Sequence, residues 1–124
     1  MIRGVLVTHG ALGAEFKRTA ESIVGPLDGL LALSNSDCSA ESLERRVEEF
    51  LADGDGPVFL FVDLFGGSCS FACDAVRRRR PETYFVSGLN LPMLLDFVHN
   101  RDRLPAGELA PRLMQKGRDG IQAR

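Results

Sequence analysis

The chain has no apolar run long enough to cross a bilayer. Its longest, Pro57 to Val62, falls far short of the roughly 20 residues a spanning helix needs. It also lacks a signal-peptide pattern, because Met1-Ile2-Arg3-Gly4 leads straight into an apolar stretch. A cytoplasmic protein with no direct membrane insertion is therefore expected. Charge of one sign is scarce: the net charge is −2 over 124 residues, which gives no electrostatic reason to bind nucleic acid. The cysteines Cys38, Cys69 and Cys73 are odd in number and form no C-x-x-C pair. With only 2 histidines beside them, they make no recognisable zinc motif. Free thiols in a reducing compartment are the simpler reading, and no metal or organic cofactor is expected. There is no G-x-x-x-x-G-K-[ST] loop, and the lysines are Lys17 and Lys116 alone; a nucleotide-driven kinase is not expected on that ground. No dinucleotide fingerprint, internal repeat or low-complexity linker is present.

What remains is an ordinary globular balance, 44% hydrophobic and 26% charged, at a length that suits one domain spanning 1–124. Apolar runs alternate with helical patterns. Val5-Leu6-Val7 reads as a strand, and Leu12, Phe16, Ala20, Ile23 and Val24 then recur at helical spacing until Gly25-Pro26. Leu30 to Leu33 reads as a second strand. Ser39 is placed to cap the next helix, whose inner stripe is Leu43, Val47, Phe50 and Leu51. Val58 to Val62 is continuously apolar, as a strand buried on both faces would be. Phe71, Ala72, Ala75 and Val76 mark a third helix, Tyr84 to Val86 a fourth strand, and Asn90 with Pro92 the start of a helix buried through Met93, Leu94, Phe97 and Val98. Leu109, Leu113 and Met114 predict a last helix that begins or bends near Pro111, with a short strand after Gly120. The pattern predicts an α/β fold: a doubly wound, mainly parallel four-stranded sheet with helices on both faces.

In such sheets, ligands bind beyond the carboxyl ends of the strands, where strand order reverses. Thr8-His9-Gly10 follows the first strand and Asp63-Leu64-Phe65-Gly66-Gly67-Ser68 follows the third. If those strands are neighbours, Asp63 reaches the His9 imidazole, fixes its tautomer and leaves the other ring nitrogen free to attack phosphorus. Gly10, Gly66, Gly67 and Ser68 then offer backbone N–H groups and helix N-termini to an anion. Each residue also has a plainer reading: His9 as structural, Asp63 as a cap, Gly66-Gly67 as a turn. Thr8 either sets a hydroxyl beside the ring or ends the strand, and Ser68 either binds phosphate or caps a helix. The run Arg77 to Arg80 complements a helix C-terminus or docks an acidic partner. His99 has no partner in sequence.

Three blocks, Thr8-His9-Gly10-x-Leu12-Gly13, Asp63 to Ser68, and Ser87-Gly88-Leu89-Asn90-Leu91-Pro92-Met93-Leu94, resemble in order and spacing the mannose-type IIA component of the bacterial phosphoenolpyruvate:sugar phosphotransferase system. The resemblance implies a phosphorylatable His9 hydrogen-bonded to Asp63, with phosphoryl transfer from HPr or an HPr-like donor to a IIB component. It also implies a homodimer that exchanges a terminal antiparallel strand, here around Ile121. The sequence departs from the family where proline and, two positions later, asparagine usually follow Gly-Gly-Ser: Cys69 and Phe71 stand there. This departure bears on the choice of partner. An alternative is a free-standing regulatory module whose phosphorylation state controls a target protein. The related subunit of dihydroxyacetone kinase fits less well, since that branch favours His-Ser where this chain has His9-Gly10.

Overall fold

A computed structural model describes residues 1–124. Four strands, β1 (Arg3–Thr8), β2 (Leu30–Ser34), β3 (Val58–Val62) and β4 (Thr83–Ser87), form one all-parallel sheet in the order β2-β1-β3-β4. Five helices connect and follow them: α1 (Leu12–Val24), α2 (Ala40–Ala52), α3 (Gly67–Arg79), α4 (Leu91–Asn100) and α5 (Ala106–Asp119). The α/β architecture is the expected one, and β1 and β3 are neighbours at the point where strand order reverses.

The core lies on both faces of the sheet, which explains the unbroken apolar run of β3: every residue from Val58 to Val62 is buried. Val5, Val7, Val58, Leu60 and Val62 face one way, onto α2 and α3 through Leu43, Val47, Leu51, Cys69, Ala72, Cys73 and Val76. Leu6, Phe59 and Phe61 face the other way, onto Ala20 of α1 and onto Leu94, Phe97, Leu109 and Leu113 of α4 and α5. On that second face, Phe61 meets Phe97 edge-on at 5.0 Å between ring centroids, a favoured aromatic geometry.

Two helix starts form as read. Ser39 accepts a hydrogen bond from the Ser42 amide at 3.1 Å, and Asn90 accepts one from the Met93 amide at 3.0 Å. Asn90 also donates to the Gly117 carbonyl at 2.9 Å and so ties α4 to α5.

Several expectations require correction. Phe71 does not belong to the buried stripe of α3; it is 63% exposed. The buried apolar positions are Cys69, Ala72, Cys73 and Val76, an i, i+3, i+4, i+7 stripe that leaves Phe71 outside it. In α1, Leu12, Ile23 and Val24 are likewise exposed. The last helix begins at Ala106, ahead of Pro111, and contains that proline without ending there. Pro111 lies near the helix start and is exposed, so it forfeits a single early hydrogen bond and meets no packed neighbour. Finally, residues 121–124 form no strand and are exposed. The strand expected there is one exchanged with a second copy, and it has no partner within one chain.

Candidate active site at the carboxyl edge of the sheet

β1 and β3 run in register, with Val7 opposite Val62, so the loops that follow them leave the sheet side by side. This brings His9 and Asp63 together across 54 positions of sequence. The His9 amide donates to Asp63 Oδ2 at 3.1 Å. The ring nitrogen Nδ1 lies 3.2 Å from Oδ1 and 3.1 Å from Oδ2. An ionised carboxylate only accepts, so Nδ1 is the donor. In the uncharged ring the lone pair therefore sits on Nε2. The Asp63 side chain is 12% exposed and that of His9 45%: the orienting group is sheltered while the ring it orients is open.

Nε2 faces the start of α3. It lies 4.0 Å from where a Cβ on Gly67 would stand, so a methyl group there would just touch it. Gly66 and Gly67 have φ of 102° and 79°, a region that L side chains adopt at a cost. α3 starts at Gly67, so Ser68 lies in its first turn, and Gly66 at the N-cap supplies no side-chain cap. The amides of Gly66, Gly67 and Ser68 have no acceptor within the chain. Unpaired donors at a helix N-terminus favour an anion.

Gly10 differs. Its N–H already donates to Asn35 Oδ1 at 3.1 Å, while the Asn35 amide donates to the Thr8 carbonyl at 3.0 Å. Asn35 was not singled out from sequence, although its place just past β2, on the same edge as His9, is the signal that would have found it. Thr8 ends β1, is fully buried, and its hydroxyl accepts from the Gly13 amide at 2.6 Å. That bond fixes the turn into α1. Gly13 has no room for a side chain, since a Cβ there would lie 2.9 Å from Thr8 Oγ1.

Beside the glycines, Leu64, Phe65 and Phe71 are all exposed. Phe65 stacks on Phe85 at 6.4 Å, and with Phe71 and Ser70 they border a hollow of about 430 Å³ that includes Gly66 and Gly67. Cys69 is buried behind the glycines; burial first, and then the Asp63 charge, push its thiol above the ordinary value. Burial pushes Cys73 up to about 12. All three cysteines are free thiols.

The other groups weighed from sequence lie elsewhere. Arg77 and Arg78 pair with Asp74, Arg79 with Glu44 and Glu48, and Arg80 with Glu48. Arg77 and Arg78 are thus paired within α3, and Arg79 and Arg80 tie its end to α2. His99 is exposed at the end of α4, with Arg103 at 3.3 Å. No helix is long and apolar enough to cross a membrane.

Comparison with known proteins bears on the family and the fold. The profile of the family described as "PTS system fructose IIA component" matches residues 4–114. The mannose-specific EIIAB component of Escherichia coli is 27% identical over 96% of this chain. The chain spans 38% of that protein's length. The sorbose-specific EIIA component of Klebsiella pneumoniae is 27% identical over 91% of this chain and 84% of its own. The crystal structure of phosphotransferase system component EIIA from Streptococcus agalactiae superposes with a TM-score of 0.93, covering 99% of this chain and 97% of the other at 21% identity, which is a likeness of fold. With the profile covering both the histidine loop and the glycine loop, this chain belongs to the mannose-type EIIA family of phosphotransferase-system components.

Proposed function

We propose that the chain is a phosphohistidine carrier of a sugar phosphotransferase system, with His9 as nucleophile and Asp63 as the group that orients it. The observation that carries this reading is the pair of contacts between Nδ1 and the Asp63 carboxylate, at 3.2 and 3.1 Å, with Nε2 turned to the glycine loop. The donor is phospho-HPr or an HPr-like protein, and the acceptor a IIB component.

Nε2 attacks the phosphorus of the donor's phosphohistidine. A new N–P bond forms as the donor's N–P bond breaks, and that electron pair returns to the donor imidazole. Positive charge grows on the His9 ring meanwhile, and Asp63, hydrogen-bonded at Nδ1, stabilises it. The amides of Gly66, Gly67 and Ser68 receive the phosphoryl oxygens; preset donors of this kind do most of the work in phosphoryl transfer. The Gly10 amide joins them only by releasing Asn35. Exposed Leu64, Phe65 and Phe71 give the incoming protein an apolar rim that excludes water. The homodimer belongs to the same reading, with Ile23, Val24 and Ile121 as apolar surface open to a second copy.

Incubation with phospho-HPr should place an acid-labile phosphoryl group on the chain, and His9→Ala should reduce it to background. Equal labelling of the variant would refute the assignment.

A further inference from the structure

The ring of His9, the carboxylate of Asp63 and the thiol of Cys69 each offer a ligand atom, and these atoms lie within 4.8 Å of one another. They come from three places in the chain: the end of β1, the end of β3 and the first turn of α3. No sequence spacing advertises them as a set. Around tetrahedral zinc, with bonds of about 2.0–2.3 Å, neighbouring donors stand about 3.3–3.6 Å apart. The His9–Asp63 pair stands at 3.1 Å and needs to open by only a few tenths of an ångström, about 0.2–0.5 Å. From a separation of at most 4.8 Å, the thiol needs to close by roughly 1.2–1.5 Å at most.

We propose that His9, Asp63 and Cys69 form a site for Zn²⁺ or a similar borderline-soft divalent cation, and that loading this site switches off phosphoryl acceptance. The donor chemistry is specific: one imidazole, one carboxylate and one thiolate suit zinc and disfavour magnesium or calcium, which take oxygen ligands. The charges also balance. A neutral ring, one carboxylate and one thiolate against a dication leave no net charge, and the thiol proton leaves to solvent on binding. Three protein donors leave a fourth position for water, the open form of a zinc site rather than the closed structural one.

The block follows from the electron pairs of the ring. A cation on Nδ1 takes that lone pair, so the ring proton moves to Nε2 and no nucleophilic pair remains there. A cation on Nε2 occupies the nucleophile itself. Phosphorylation and metal binding are exclusive in either case. The block rests on the carrier reading above; the metal site does not.

The test uses the full chain, reduced and stripped of metal. Titration with Co²⁺ should give a thiolate-to-cobalt charge-transfer band at one equivalent, and Zn²⁺ should displace it. Cys69→Ser should abolish that band and weaken Zn²⁺ binding by more than about tenfold. Asp63→Asn and His9→Gln should weaken it similarly, whereas His99→Ala should not. Asp63→Asn carries the test if Cys69→Ser fails to fold. Absence of the thiolate band, or Zn²⁺ affinity unmoved by Cys69→Ser and Asp63→Asn, overturns the site. For the block, Zn²⁺-loaded wild type should take no label from phospho-HPr until a chelator is added, while the same Zn²⁺ should spare labelling of Cys69→Ser. Full labelling of loaded wild type overturns the block. Failure of the metal-free chain to accept label would refute the carrier reading and leave the binding result standing.

Discussion

The two ends of α3 are built to opposite plans. At its C-terminus, four successive arginines are matched by Asp74, Glu44 and Glu48 from α3 itself and from α2. At its N-terminus, Gly66 supplies no cap, and the first amides have no acceptor within the chain. The start of α2 differs from it too, since Ser39 caps there. Uncapped helix starts cost stability, with a missing cap worth about 1 kcal/mol. One end of the helix is therefore satisfied from within, and the other is left for an anion from outside. The neighbour of the unsatisfied end is the Nε2 face of His9. Charge alone does not mark a site: the most conspicuous charged run in the sequence is structural, and the end of the helix we propose as phosphate-binding has no charge of its own.

Substitutions at the two ends should separate these roles. The largest effect is expected from Asp63→Asn, which loses the carboxylate that sets the tautomer and stabilises the charged ring. Phosphoryl acceptance should fall by roughly 10²–10⁴-fold, read as the single-turnover rate of labelling by phospho-HPr, while the far-ultraviolet circular dichroism stays as it was. A smaller effect is expected from Gly67→Ala. Its φ of 79° makes a side chain cost about 1–2 kcal/mol, and relief of that strain shifts the amides beside Nε2. Labelling should slow by about tenfold, in line with a displaced donor, and the urea midpoint should drop.

The smallest effect belongs to the arginine end, in Glu48→Gln. Burial pushes the Glu48 carboxyl up, but hydrogen bonds from Arg80 and Arg79 outweigh it and hold the group below its ordinary value. A lowered folded value means the carboxylate stabilises the fold above the ordinary glutamate range and loses that contribution as pH falls through the lowered value. The melting-temperature gap between wild type and Glu48→Gln should be small at neutral pH, as surface ion pairs are, and should close in acid. Labelling should not change. A variant at this end that slowed labelling as much as Gly67→Ala would break the comparison.

Much of this was legible in the sequence because it rests on local rules. Apolar runs gave the four strands, and Ser39 and Asn90 announced their helices. The His9–Asp63 contact followed from one topological condition, that β1 and β3 be neighbours. What was not legible depends on which way an element faces. Phe71 is adjacent in sequence to buried Ala72, and only the full stripe from Cys69 to Val76 shows that it points outward. Asn35 reaches Gly10 across the sheet edge from β2, a contact no single-loop pattern encodes. Cys69 reads as a buried thiol in sequence, and the fold sets it behind the histidine. The strand expected at Ile121 was one exchanged with a second copy, and within one chain residues 121–124 pair with nothing.

The central claim is that Asp63 holds Nδ1 and thereby reserves Nε2 for phosphorus. Phosphorylation of the ¹⁵N-histidine-labelled chain by phospho-HPr, followed by ³¹P and ¹⁵N NMR, reads which ring nitrogen bears the phosphoryl group. The account predicts an Nε2–phosphorus bond on His9. Phosphorus on Nδ1, or on a residue other than His9, would contradict it.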